Sequence, residues 1–119
     1  MGNPEEPTGL DAFSHLDVVY QFDRVEEEDI TLGARHPRGN PAWPRIGIFA
    51  QRAKARPNRL GVSTCRILHI DGLRIRVADL DAIDGTPILD IKPHMIGMGP
   101  RGEVREPAWA GELMERYWR

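Results

Sequence analysis

A single cysteine, Cys65, rules out an internal disulfide. It stands in an apolar run and is expected to be buried and inert, which suits a reducing compartment. Long apolar runs are also missing; none approaches the roughly 20 residues that a membrane helix needs. The first ten residues are polar and rich in Pro and Glu, unlike a secretory leader. The expected setting is cytoplasmic, with no membrane partner. Four histidines, His15, His36, His69 and His94, are scattered without metal-ligand spacing, so no metal is expected. The chain has no Walker motif, Gly-x-Ser-x-Gly elbow or paired-cysteine site.

The most telling absence is of negative charge. Between Ile30 and Ile70 there is no Asp or Glu, while Arg35, Arg38, Arg45, Arg52, Lys54, Arg56, Arg59 and Arg66 all fall there. A net charge of only −2 conceals this segment. Two readings stand. The span meets phosphates or another anion, or it is a solvated arginine-rich loop balanced by acidic neighbours in the fold.

Ten prolines and twelve glycines call for many short elements joined by turns. Residues 1–12 are expected to be a flexible N-terminus and residues 13–119 one domain. Phe13–Phe22 reads as a strand, being rich in aromatic and β-branched residues. Ile46–Ala50 and Val62–Ile70 read as further strands. Asp71-Gly72 predicts a two-residue hairpin turn. The returning strand, Leu73–Val77, puts Leu73, Ile75 and Val77 on one face and Arg74 and Arg76 on the other. Asp79–Ile83 is expected to continue that edge, and a turn at Asp84–Pro87 leads to a last strand, Ile88–Ile91. Pro107 suits the start of a terminal helix with Trp109, Leu113 and Tyr117 on one stripe, facing the domain. The fold class is mostly β: a small antiparallel barrel or curled sheet with a C-terminal helix.

Two apparent motifs fail on context. Gly97-Met-Gly-Pro-Arg-Gly102 has the glycine spacing of a dinucleotide loop, but Pro93 and Pro100 crowd it and no βαβ unit surrounds it. Asp79, Asp81 and Asp84 lack the glycine position of a calcium loop. What remains is two blocks that crowd Gly, Pro and Asn against fixed charges. One runs from Gly47 to Ser63, the other from Asp84 to His94.

Those blocks carry a resemblance. Phe13-Ser-His-Leu16, Gly47-Ile-Phe-Ala50, Arg56-Pro-Asn58, Gly61 and Asp84-Gly-Thr-Pro-x-x-Asp-Ile-Lys-Pro93 stand in the order of the TrmO-type (TsaA-like, VirR/YaeB) proteins. The resemblance implies a single-sheet β-barrel that binds S-adenosylmethionine without a Rossmann fold and works as a homodimer. It implies N6-methylation of threonylcarbamoyl-adenosine beside the tRNA anticodon. The alternatives are a methyltransferase for another RNA or small-molecule acceptor, or a cofactor- or RNA-binding module without catalysis.

Carried over by position, the resemblance puts cofactor contacts at Asp23, Arg24, Arg52, Val62, Asp84, Gly85, Thr86 and Pro87. Substrate contacts fall to Arg56, Asn58, Arg59 and Lys92, and the candidate bases are Asp90 and His94. Asp23 and Asp84 suit the amine or ribose of the cofactor, and turn amides at Gly85 and Thr86 suit its adenine or carboxylate. Plainer roles also stand: Asp84 capping its own turn, Arg56 pairing with Asp90, and Arg56 and Asn58 holding loop geometry. The chain departs from the family pattern at Asp17, usually Trp, and at His94, usually Tyr. It also lacks a counterpart of the family's N-terminal strand, so it is expected to be either truncated or a reduced member with an edge for a partner chain to cover.

Overall fold

The computed structural model describes residues 8–30 and 32–118; residues 1–7 of the expected flexible N-terminus lie outside them. A 3-10 turn at Leu10–Ala12 comes first, and Leu10 packs against the core. Strand β1 (His15–Gln21) follows, then the short strands β2 (Ala34–Arg35) and β3 (Ile46–Gly47), which pair with each other. Strands β4 (Leu60–Asp71), β5 (Arg74–Ala78) and β6 (Ile88–Pro93) and helix α1 (Ala108–Met114) complete the order. The main sheet runs β5-β4-β1-β6 with every neighbour antiparallel. This is the mostly-strand, antiparallel fold with one C-terminal helix that the patterning predicts.

Strand β1 is the spine because its alternation is clean. Leu16, Val18 and Tyr20 are buried, and His15, Asp17, Val19 and Gln21 turn to the other face. Cys65 from β4 joins the buried set, as expected of an apolar cysteine. Partly buried Phe22, Ile67, Ile75, Val77, Leu80 and Ala82 pack around it. Each fully buried aliphatic side chain here contributes on the order of 1.5–3 kcal/mol. Leu16 and Val18, with residues of both outer strands (Ile75 and Val77, Ile88 and Ile91), line one trough of about 250 Å³. The sheet is therefore curled, although no ladder joins β5 to β6 among the described residues.

Three local expectations shift. The hairpin turn is Gly72-Leu73, since Asp71 still pairs with Arg74. Gly72 has a φ of 59°, the conformation that a two-residue turn asks of its first central residue. Strand β3 stops at Gly47, because Ile48–Ala50 winds into a 3-10 turn that buries Ile48. Asp79–Ile83 is not a strand. Asp79 adopts a left-handed backbone with φ of 67°, and this ends the β5 ladder at Ala78.

At the terminal helix, Trp109, Leu113 and Tyr117 are half-buried, while Met114 and Trp118 stay exposed. Contacts fix it on the domain: Trp43 Nε1 donates to Glu112 Oε2 at 2.6 Å, and the Tyr117 hydroxyl donates to Asp81 Oδ2.

Gly61 sits where no side chain fits. A Cβ there would lie 2.5 Å from Tyr20 Cε2 and 2.8 Å from Phe22 Cζ. Both rings belong to the packed face of β1 and its extension, in edge-to-face contact with centroids 5.5 Å apart. Gly61→Ala should lose about 1–3 kcal/mol by overpacking. Urea unfolding of the two proteins measures it, and equal midpoints would show that the rings yield freely.

Candidate functional site

Three segments distant in sequence meet at one end of β1. The first is the turn that leaves β1. Asp23 N donates to the Gln21 carbonyl at 2.9 Å, and this exposes Asp23 and Arg24 just beyond the last ladder pair. The second is the start of β4. Phe22 N donates to the Arg59 carbonyl at 2.7 Å, and Asn58 Oδ1 accepts from Leu60 N at 3.1 Å. The third is the turn before β6. Gln21 N donates to the Pro87 carbonyl at 3.1 Å and so pins Asp84–Pro87 beside β1.

The Asp84–Pro87 turn is built tightly. Thr86 donates twice to the Ile83 carbonyl, from its hydroxyl at 2.7 Å and its amide at 3.2 Å. Thr86, not Asp84, therefore closes the turn. Gly85 has a φ of 86°, which favours glycine, and a Cβ there would lie 3.7 Å from Arg24 Nη2. The Arg24 guanidinium thus lies against the turn. Among the described residues, the carboxylates of Asp23 and Asp84 have no side-chain hydrogen bond or ion pair. Arg59 has a left-handed backbone, and its Nε is buried without a partner.

The other expected site residues sit elsewhere along the sheet. Arg52 donates to the carbonyl of Val62 at 2.8 Å, on the stretch of β4 that β5 does not cover. Val62 and Asp90 both lie opposite Val19. Asp90 pairs with Lys92 at 2.9 Å rather than with Arg56, and this hydrogen bond lowers the Asp90 pKa and raises that of Lys92. Arg56 is a loop clamp: its Nη1 donates to the carbonyls of Ile48, at 3.2 Å, and Gln51. His94 is seven residues past Pro87, about 23 Å along an extended strand, so β6 carries it away from the turn.

His94 nevertheless has company that the sequence did not reveal. Its Nδ1 lies 3.2 Å from Asp17 Oδ1 and 3.3 Å from Oδ2, and Thr64 Oγ1 donates to Asp17 Oδ1 at 2.7 Å. Two of the chain's departures from the TrmO-type pattern, Asp17 and His94, are thus in contact, 77 residues apart. The one local signal was a carboxylate inside the apolar β1 pattern. A second polar group lies at the core. The Tyr20 hydroxyl and Ser63 Oγ are 3.0 Å apart, and Asp81 N donates to Ser63 Oγ at 3.3 Å. Burial raises the Tyr20 pKa. Burial also raises the Cys65 thiol, with nearby Asp79 adding to it.

Comparison with known proteins decides the family. A family model described as the tRNA-methyltransferase O N-terminal domain matches residues 2–98. The chain belongs to that family. A probable S-adenosyl-L-methionine-binding protein of Pyrococcus abyssi is 37% identical over 113 residues, covering 92% of this chain and 56% of the relative. The tRNA (adenine(37)-N6)-methyltransferase of Escherichia coli is 39% identical over 93 residues, covering 73% of this chain and 38% of the relative. The crystal structure of TrmO from Pseudomonas aeruginosa superimposes with a TM-score of 0.64 at 27% identity, over 86% of this chain and 40% of that one. The chain therefore spans about half the length, or less, of these relatives. The residues gathered at the end of β1 include most of those that the family resemblance marks for the cofactor.

The Asp17 cluster has a pH signature. The Thr64 hydroxyl first, and then His94, hold the Asp17 carboxyl below its ordinary value. A depressed carboxyl stabilises the fold above its unfolded pKa, and that stability is lost as pH falls through the folded value. Both side chains are about one-third exposed, so solvent screening keeps the effect small. Asp17→Asn should lose less stability than wild type between neutral pH and about pH 3. Denaturant melts at both pH values read the difference; identical losses would remove Asp17 from the account.

Proposed function

We propose that this chain is the S-adenosylmethionine-binding part of a methyltransferase acting on tRNA, with N6 of threonylcarbamoyl-adenosine beside the anticodon as acceptor. The observation that carries the reading is the convergence at the end of β1 of Asp23, Arg24, Arg59 and the Asp84–Pro87 turn. The names of the relatives support it, one an S-adenosyl-L-methionine-binding protein and another a tRNA adenine methyltransferase.

The donor set fits the cofactor. Two unengaged carboxylates, Asp23 and Asp84, suit an ammonium or a ribose diol. The Arg24 guanidinium suits a carboxylate, and the partnerless Arg59 Nε is a buried donor at the same end. Bound there, S-adenosylmethionine supplies an electrophilic methyl group. The protein's own part is to bind, orient and exclude. Asp90, its pKa lowered by Lys92, is a weak proton acceptor, so the acceleration rests on alignment of acceptor and methyl. A homodimer belongs to the same reading. The outer edge of β6 pairs with no strand among the described residues, and Ile88, Leu89 and Ile91 are each about half exposed on it. An antiparallel pairing of two β6 strands about Ile91 would set Asp90 of each opposite Lys92 of the other.

The test is to supply the chain with methyl-labelled S-adenosylmethionine and tRNA bearing threonylcarbamoyl-adenosine, then to analyse the nucleosides. Label on N6 is expected. Cofactor bound with no label transferred would leave a binding module instead. By calorimetry, Asp84→Ala and Arg24→Ala should each weaken cofactor binding by about 1–3 kcal/mol. Sedimentation velocity should give a dimer at micromolar concentration; a monodisperse monomer would remove the β6 pairing.

A further inference from the structure

Arg38 has a backbone better suited to glycine. Its φ of 52° and ψ of 24° lie in the left-handed region that side chains rarely adopt. The loop around it is closed on itself. His36 Nδ1 is 2.6 Å from the Trp43 carbonyl, and Asn40 Oδ1 accepts from Ala42 N at 2.9 Å. The amides of Gly39 and Asn40 donate to the His36 and Pro37 carbonyls at 2.9 and 3.0 Å. Pro37 itself is fully buried and anchors the loop next to the strained residue.

The C-terminal helix and the turn that follows it hold this loop from outside. Glu112 takes the Trp43 indole, and the Tyr117 ring lies 5.0 Å from the Arg38 guanidinium carbon. Tyr117 is oriented in turn by its hydrogen bond to Asp81. Among the described residues no hydrogen bond engages the Arg38 guanidinium held over this ring, so its N–H donors are left for an anion, and two of them can meet two oxygens of one phosphate. No carboxylate forms an ion pair with Arg38 among the described residues. By contrast Arg45, Arg52 and Arg56, from the same acid-free span, each spend donors on backbone carbonyls. The family model ends at residue 98, so Glu112 and Tyr117 lie outside the matched region.

We propose that Arg38 is a contact for a phosphate of the RNA substrate, presented by its closed loop, with Tyr117 and Glu112 as positioning residues. This rests on the reading of the chain as acting on tRNA. Strain at a residue that glycine would fill more easily points, together with the contacts around it, to a side chain kept for a task.

Arg38→Gly is the decisive variant, because it removes the guanidinium and suits the backbone. Fluorescence anisotropy with an anticodon stem–loop RNA, titrated across a range of salt, reads the contact. Affinity should fall on the order of tenfold, and the salt slope should become shallower by about one. Melting temperature should hold or rise, and S-adenosylmethionine affinity should not change. Arg38→Lys, a charge without the fork, should recover only part. Tyr117→Phe keeps the ring but loses the hydrogen bond to Asp81, and should weaken RNA binding less than Tyr117→Leu does. Wild-type affinity and slope in Arg38→Gly would overturn this proposal alone. Absence of RNA binding by the wild-type chain would overturn it together with the RNA acceptor of the proposed function.

Discussion

Tyr20 is the constraint on which the rest of the structure depends. Its ring lies over Gly61 and meets Phe22 edge to face, so β4 approaches β1 closely only because Gly61 has no side chain. Its hydroxyl bonds Ser63, which also takes the amide of Asp81, and Asp81 accepts from Tyr117. One buried phenol is thus tied to the irregular segment after β5 and, through it, to the terminal helix. Only the Tyr20–Ser63 pair is buried; a buried hydrogen bond of this kind, once satisfied, helps to specify one arrangement, and the links beyond it run out to the surface. On the other side, the β1–β6 register shifts between Val19 and Tyr20, and Leu89 is left as the extra residue. A bulge there bends β6 next to the Asp84–Pro87 turn.

This construction explains why the candidate site lies at a strand end. Ladders fix the backbone of β1 from His15 to Gln21, and beyond Gln21 the chain is released into turns. The turns at Asp23-Arg24, Asn58-Arg59 and Asp84–Pro87 all open at that boundary, held by single backbone hydrogen bonds to β1 or its extension. The sheet thereby delivers three turns to one place, the usual way in which small folds carry function on loops. The arginine-rich span sorts itself by the same logic. Arg52 and Arg56 are consumed in holding the loop, and Arg38 is left exposed over the Tyr117 ring.

Most of the fold was legible because β1 is rich in aromatic and β-branched residues and period two is unambiguous in β5. The turn chemistry at Gly72 and at Asp84–Pro87 was also strong, although the first turn lay one residue later than Asp71-Gly72 suggested. Asp79–Ile83 misled because its apolar alternation looks like a strand. Its fate was decided by a left-handed residue, Asp79, and by pairing to Ser63 and Tyr117, neither of which is visible locally. At the site, Asp84, Gly85 and Pro87 could be named from their motif. Asp17 with His94, and Arg38 with Tyr117, could not. Each pair is 77 or 79 residues apart, joined only through the sheet register or through a helix docked on a loop.

In the proposed function the cofactor sits at the end of β1. Amide chemical shifts of the labelled chain, followed while S-adenosylmethionine is added, test it most directly. The largest shifts are expected to fall together on residues 21–24, 58–61 and 84–88, with residues 96–102 and the far end of β6 near His94 unmoved. Shifts confined to the Gly97–Gly102 loop or to His94, or no shifts at saturating cofactor, would contradict it.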